Sequence, residues 1–304
     1  MAIFGLVSFG GAWLVCIPLW ENGGGITSPL LGATASAMMF TPTLAVLITW
    51  LVTRPRGQRS LRELAWTAGL SFGPSRRRTL AVSAAVWIGI PLFVVVTTLI
   101  CALFGLYRLD LETFSLLGDE YRMKTGKAPN PQAMLITSIG AVALTPLLNA
   151  LPSFGEEVGW RGWLFPNLLR YGPWAAILIT GVVWGAWHAP LTLLGYNYAM
   201  LGPWSALMFI PFCIAFGAVL AWTRWFTGSV WPAVVGHGVF NGSTGLVLLL
   251  GASGQQVNFA LVGPISVVGI VLFAIIAALL FAVTRTGPED DQPAEPVQTT
   301  DSAS

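Results

Sequence analysis

The chain has 304 residues, of which 55% are hydrophobic and only 9% are Asp, Glu, Lys or Arg. Ordinary soluble domains carry about 25% charged residues, so this composition excludes a typical soluble globular protein and indicates a lipid bilayer as the solvent. The net charge of +2 neither favours nor opposes nucleic-acid binding. We expect no nucleic-acid partner, because the basic residues cluster in a way that fits a membrane-topology signal better.

Apolar runs of membrane-spanning length recur along the whole sequence. A spanning helix needs about 20 mostly apolar residues, and eight runs approach or exceed that length, so the sequence predicts an all-α polytopic membrane bundle of about eight transmembrane helices. The runs cover residues 3–20, 30–53, 80–106, 132–151, 174–195, 203–223, 229–250 and 260–283. The first run has no basic residue before it and the first charge is Glu21, which favours a retained helix over a cleaved signal peptide. Cys16, Cys101 and Cys213 lie inside apolar runs without metal-ligand spacing, and we expect buried, unreactive thiols.

The orientation of the bundle is predicted from its basic residues. The loop 54–79 contains seven arginines and one acid, Glu63. Short loops rich in Lys and Arg stay in the cytoplasm, so alternating helices place both termini and the segment 152–173 on the cytoplasmic side. The tail 285–304 is acidic, Pro-rich and free of aromatic residues, which predicts a disordered cytoplasmic segment.

Ionisable residues within the apolar runs are few and fall in three places. Charged groups at membrane depth are costly unless they are paired or line a wet cavity, so these residues are functional candidates. The set comprises Glu156, Glu157 and Arg161, then His188, then His237 with Asn241, and it includes both histidines of the chain.

The first cluster, EEVGWRG, is predicted to begin a helix. Pro152 should end the preceding span, and the hydroxyl of Ser153 could cap the new helix. Glu157 and Arg161 are then neighbours at i, i+4 in the favoured order, which leaves Glu156 free and partly desolvated, as suits a general base. The alternative is an interfacial surface helix with a solvated ion pair.

The other two places each pair a histidine with a second side chain four residues away. Trp184 and His188 in WGAWHAP share one helix face, as do His237 and Asn241 in HGVFNG. Each histidine alone could be an ordinary contact between helices. Two histidines and an asparagine on separate helices, together with the glutamates, favour convergence on one site.

This set of side chains supports more than one chemistry. A carboxylate and a histidine can hold and deprotonate a water molecule, while the second histidine and the asparagine can stabilise an oxyanion, which amounts to peptide-bond hydrolysis. Alternatively, Glu156, His188 and His237 could form a zinc site with an open fourth position, although the sequence contains no HExxH. A serine nucleophile is less favoured because the sequence contains no GxSxG.

The three motifs together resemble those of the CPBP family of CAAX proteases and bacteriocin-processing enzymes. EEVGWRG resembles its EExxxR motif, WGAWHAP its FxxxH motif and HGVFN its HxxxN motif. Trp184 stands where the family usually has Phe, and WRG stands where many members have FRG.

The resemblance implies an integral membrane endopeptidase, often labelled a metalloprotease, whose cavity opens to the cytoplasm. It implies Glu156 as the base that activates water, His188 as its helper, and His237 with Asn241 as the oxyanion pair. Glu157 and Arg161 would support Glu156, and Trp184 would belong to the aromatic wall. The resemblance favours a water-based mechanism that requires no cofactor, with zinc as the alternative.

The resemblance also bears on substrate, location and domain organisation. It implies a peptide or protein substrate, with or without a lipid group, in contact with membrane lipid. The reaction would be either CAAX-like C-terminal processing or bacteriocin or other peptide maturation. High Ala, Gly, Trp and Arg with few Lys suggest a bacterial plasma membrane. The predicted regions are 1–131 (N-terminal helices with the Arg-rich loop), 132–250 (catalytic core), 251–284 (last helix) and 285–304 (tail). The competing function is a non-enzymatic transporter or immunity scaffold, which the restriction of the polar groups to the second half of the chain disfavours.

Overall fold

The structure is a computed structural model that describes residues 1–21, 23–55 and 60–284. Within this part of the chain, five helical segments are long and apolar enough to cross a membrane, and two shorter apolar helices accompany them. The predicted all-α membrane bundle is confirmed, and the apolar helices indicate an integral membrane protein. The predicted tail 285–304 lies outside the described residues.

The α-helices differ widely in length, from 28 residues down to four. They are α1 (Ala2–Glu21), α2 (Leu31–Met38), α3 (Thr41–Thr53), α4 (Leu61–Thr67), α5 (Arg76–Leu103), α6 (Ser115–Thr125), α7 (Pro131–Glu157), α8 (Phe165–Leu168), α9 (Pro173–Trp187), α10 (Ala189–Thr192), α11 (Ser205–Thr227), α12 (Trp231–Ser243), α13 (Leu246–Leu249) and α14 (Val267–Val283). A π-helical segment, Val158–Leu164, joins α7 to α8.

Each predicted span coincides with a helix, but several boundaries were wrong. The run 30–53 is divided into α2 and α3 by a turn at Met39 and Phe40. The run 174–195 is divided into α9, which ends at Trp187, and the short α10. The break arises because Pro190 has no N–H for the helical ladder and its ring crowds the carbonyl four residues earlier. The run 229–250 likewise stops at Ser243, and a turn separates it from α13.

The predicted helix break before the glutamates was also wrong. α7 continues through Pro146 and Pro152 as far as Glu157, so Ser153 lies inside the helix and does not cap one. Proline is tolerated in membrane helices where local adjustments satisfy the freed backbone groups. The change to π-helical geometry comes only after Glu157.

One end of the bundle gathers the arginine-rich segments. Arg224 donates to the carbonyl of Thr67 at 3.3 Å, and the indole of Trp231 donates to that of Leu70 at 2.9 Å. Both described chain ends lie here, since Phe4 stacks on Trp163 and Trp222 bonds Thr284. We call this the basic end, made of residues 53–55, 60–79, 158–173 and 222–231.

The other end is formed by four connections, and hydrogen bonds join three of them to one another. Trp20 donates to the carbonyl of Pro190 at 2.9 Å, and Tyr198 donates to that of Ile265 at 2.6 Å. The amide of Asp110 donates to the carbonyl of Leu250 at 3.0 Å. We call this the opposite end, made of residues 23–30, 104–130, 188–204 and 244–266.

Asp110 fixes the loop that precedes α6. Its carboxylate accepts from the hydroxyls of Ser115 and Thr113 and from their backbone amides. These donors favour the ionised form, so they hold the pKa of Asp110 well below its usual range.

Candidate active site

Close contact between α9 and α11 places the second motif against an aromatic wall. A Cβ on Gly181 would lie 2.6 Å from Cα of Ile214, and one on Gly185 would lie 2.7 Å from Cα of Ile210. Only glycine allows such an approach of two backbones. The contact holds Trp184 beside the phenyl rings of α11.

Glu156 is almost wholly enclosed, with 1% of its surface exposed. Its Oε2 atom accepts from the indole N–H of Trp184 at 2.6 Å and from that of Trp160 at 3.3 Å. Arg161 pairs with Glu157 and not with Glu156, as predicted, but the Glu156 carboxylate accepts two hydrogen bonds. Two indoles fix one oxygen, and Oε1 is the oxygen that remains for the cavity.

Glu157 belongs to a different network from its neighbour. The predicted ion pair is present, with Arg161 Nη1 3.0 Å from Glu157 Oε1. The same oxygen lies 2.9 Å from Nδ1 of His237. Glu157 and Arg161 are both 0% exposed, so the alternative of a solvated surface helix was wrong.

Arg161 also packs on the second motif. Its guanidinium carbon lies 4.1 Å from the ring centre of Trp184, a cation–π contact. Three atoms of the buried pair have no hydrogen-bond partner in the described structure: Glu157 Oε2, and Nε and Nη2 of Arg161. The pair is thus held by one strong contact and by close packing.

The backbone sets the tautomer of His188. Its Nδ1 lies 2.8 Å from the carbonyl oxygen of Trp184, and a carbonyl can only accept, so Nδ1 carries the proton. A neutral His188 then presents the lone pair of Nε2. Its ring also packs edge-on against Trp187 and Phe209, which fixes the direction of that lone pair.

One cavity of about 430 Å³ brings the three motifs together. Glu156, His188, His237 and Asn241 all line it, and Trp184 forms part of its wall. Much of the remaining wall is apolar and aromatic, from residues Trp187, Phe209, Phe212, Phe216 and Phe240. The expected convergence on one pocket is therefore present, while Glu157 and Arg161 lie behind the wall.

Sequence reasoning missed two side chains of this site. Trp160 was not among the predicted site residues, yet its position four residues after Glu156 on a helix could have identified it as a donor. Asn149 also lines the cavity. It lies seven residues before Glu156, which is two helical turns and therefore the same face of α7.

The residues do not fit the predicted zinc alternative. Within residues 1–21, 23–55 and 60–284, no group of three or more His, Cys, Asp or Glu side chains is placed to hold a metal ion. Glu156 directs Oε2 to two indole N–H groups, and these donors compete with a cation for its lone pairs. We therefore derive no step through zinc.

Comparison with known proteins bears on the same segment. Residues 138–243 match the family described as Type II CAAX prenyl endopeptidase Rce1-like. These residues are similar to the Rce1-like domain of that family. The match contains all three motifs, so the predicted CPBP resemblance is confirmed.

A curated relative gives a second, shorter match. The chain is 33% identical over 72 residues to CAAX prenyl protease 2 of Methanococcus maripaludis. That alignment covers 22% of this chain and 27% of the relative. Helices α1 to α6 lie before the matched residues 138–243 and α14 lies after them.

Proposed function

We propose that the chain is an intramembrane endopeptidase that cleaves a peptide or protein substrate with a water molecule activated by Glu156. The supporting observation is that Glu156, His188, His237 and Asn241 line one cavity although they come from α7, the junction of α9 and α10, and α12. The match to the Rce1-like family, whose description is that of an endopeptidase, supports the same conclusion.

The first step is proton transfer from water. The two indoles hold Oε2 of Glu156, so Oε1 takes one proton of the water, and the lone pair of His188 Nε2 accepts a hydrogen bond from the other. The resulting hydroxide forms a bond to the carbonyl carbon of the substrate. The C=O electron pair then moves to oxygen and gives a tetrahedral oxyanion.

The oxyanion needs hydrogen-bond donors, and the site offers two kinds. Asn241 contributes an amide NH₂. His237 donates through Nε2 only when its ring carries both protons, and it then forms an ion pair with Glu157. Glu156 returns its proton to the leaving nitrogen as the intermediate collapses and the C–N bond breaks, which yields a carboxylic acid and an amine. The acid then passes its proton to the amine, which gives a carboxylate and an ammonium group.

The aromatic wall favours apolar side chains next to the cleaved bond. Burial of each large apolar group stabilises a complex by about 1.5–3 kcal/mol. Such a wall suits the apolar C-terminal residues of a CAAX-like substrate and also an apolar segment of a maturing peptide, and the experiment below includes both.

Purified protein in detergent is incubated with a panel of C-terminal CAAX-like peptides, with and without a prenyl group, and with internal apolar peptides. Products are identified by mass spectrometry. Glu156→Gln should abolish cleavage, and His188→Ala and His237→Ala should lower it by about 10²-fold or more. Glu120→Gln is the matched control, since Glu120 lies on α6 and pairs with Lys124 at the surface.

Several results would contradict the proposal. Full activity of a folded Glu156→Gln variant would remove the assigned base. If neither the wild type nor any variant cleaves a peptide, and the variants still bind or transport ligand as the wild type does, the scaffold function is favoured. Activity abolished by a chelator and restored by added zinc would replace the water-only mechanism with the metal-dependent one.

A further inference from the structure

The active-site cavity reaches one end of the bundle and not the other. Its floor is Glu156, one residue before Glu157 ends α7. Its upper wall is built from the opposite end, by Asn197, Thr244 and Ile265 among others. Of the described residues of the basic end, none lines it. Any substrate that enters along the cavity therefore comes from the opposite end.

The mouth is open to the outside of the protein. Ser36 and Asn241 both line the cavity and are both classed as exposed, although they lie on α2 and α12. The two helices flank the entrance from different sides.

The two ends differ sharply in basic residues. The described residues of the basic end carry eight arginines against the single acid Glu63: Arg54, Arg62, Arg76, Arg77, Arg78, Arg161, Arg170 and Arg224. The opposite end carries four basic residues, Arg108, Arg122, Lys124 and Lys127, all in the segment 104–130 and balanced there by four acids. The connections that border the cavity, 23–30, 188–204 and 244–266, contain no Lys or Arg.

This asymmetry determines the orientation in the membrane. Lys and Arg in short loops keep those loops in the cytoplasm, whereas acids contribute little. The basic end is therefore the cytoplasmic end. The predictions of a cytoplasmic arginine loop and of a cavity open to the cytoplasm cannot both hold in this fold, and the charge distribution favours the first.

We infer that the cavity opens on the face of the membrane away from the cytoplasm and takes apolar segments of exported polypeptides. The inference rests on the proposed function for its chemistry. It changes the substrate class from cytosolic C-termini to peptides that have already crossed the membrane, or that lie in its outer leaflet. The absence of charged residues from the three bordering connections matches such an apolar peptide.

Thiol labelling in intact cells tests the orientation. Ser36→Cys places a thiol at the mouth and Thr67→Cys places one at the basic end, where Thr67 is exposed. The native thiols, Cys16, Cys101 and Cys213, are all buried and serve as the unlabelled background. A membrane-impermeant maleimide should label Ser36→Cys in intact cells and Thr67→Cys only after permeabilisation.

Met200→Cys provides a position independent of the cavity, since Met200 is 58% exposed in the connection 188–204. Labelling of Met200→Cys but not Ser36→Cys would show that the cavity is closed there and would overturn the inference. Labelling of Thr67→Cys alone in intact cells would reverse the orientation and also overturn it.

A cleavage assay separates this inference from the proposed function. A peptide that is cut in detergent is added to right-side-out and to inside-out vesicles. Cleavage in right-side-out vesicles only supports the inference. Cleavage in inside-out vesicles only overturns the inference and leaves the proposed function standing, whereas loss of cleavage in detergent bears on the function itself.

Discussion

Replacement of Arg161 by Met would remove one partner of the buried ion pair behind the cavity wall. Glu157 would keep a single contact, with His237, and its second oxygen already has no partner in the described structure. Removal of one member of a buried pair costs about 3–5 kcal/mol, because the remaining charge is uncompensated. Large single domains lose about 2–4 °C of Tm per kcal/mol, so Arg161→Met should lower Tm by roughly 6–20 °C.

The double variant tests whether the cost comes from the stranded charge. Glu157→Gln together with Arg161→Met replaces two charges with neutral groups of similar size. Since neutral replacement of a whole buried pair is often tolerated, the double variant should regain at least about 2 kcal/mol of the loss. Peptide cleavage should remain low in the double variant, because His237 no longer faces a carboxylate.

Thermal unfolding in detergent, followed by intrinsic tryptophan fluorescence, measures the effect. Arg122→Met is the matched control, since Arg122 pairs with Asp119 at 3.2 Å on the surface of α6. A surface pair contributes about 0–1 kcal/mol, so Tm should change by only a few degrees there. A double variant no more stable than Arg161→Met would show that the unpaired charge of Glu157 is not the cause of the destabilisation.

Three further predictions concern packing, pH and substrate contact. Gly185→Ala should lower stability by about 1–3 kcal/mol in thermal unfolding, because its Cβ would meet Ile210, whereas Gly140→Ala, with open space around it, should be neutral or gain up to about 1 kcal/mol. Asp110→Asn should destabilise the protein at neutral pH. Because the folded pKa of Asp110 is lowered, its contribution is present above about pH 4 and fades at lower pH, so Tm of variant and wild type should converge as pH falls; a constant difference would contradict this. Asn149→Ala should reduce peptide turnover by roughly five-fold, about the value of one hydrogen bond, at unchanged Tm, and full activity would exclude contact with the substrate.

The order of the helices could be predicted because bilayer length and hydrophobicity constrain it. Each apolar run contains at least one helix, although three runs are divided and several ends moved, as at Trp187. The break assigned to Pro152 failed because the rule for soluble helices was applied to a membrane segment, where proline is better tolerated. The division of the second span at Met39 could have been predicted from Pro42, which lies in the first turn of α3 and cannot bond the carbonyl four residues earlier.

The residues of the site could also be predicted, but the hydrogen bonds between them could not. Isolated polar residues in apolar runs identified Glu156, His188 and His237, because such residues are costly without a purpose. Sequence separation cannot show that His237 bonds Glu157 and not Glu156, nor that two indole groups donate to Glu156. Those pairings depend on how α7, α9 and α12 cross, and sequence separation does not determine that crossing.

The π-helical segment Val158–Leu164 follows the two glutamates directly. A π turn holds more residues than an α turn and amounts to a local insertion of one residue. Loss of a single codon there would restore α-helical phase and rotate everything upstream by about 100° relative to α8. The glutamates would then turn away from the imidazoles. The site therefore depends on the number of residues in this π segment as much as on the identity of Glu156 and Glu157.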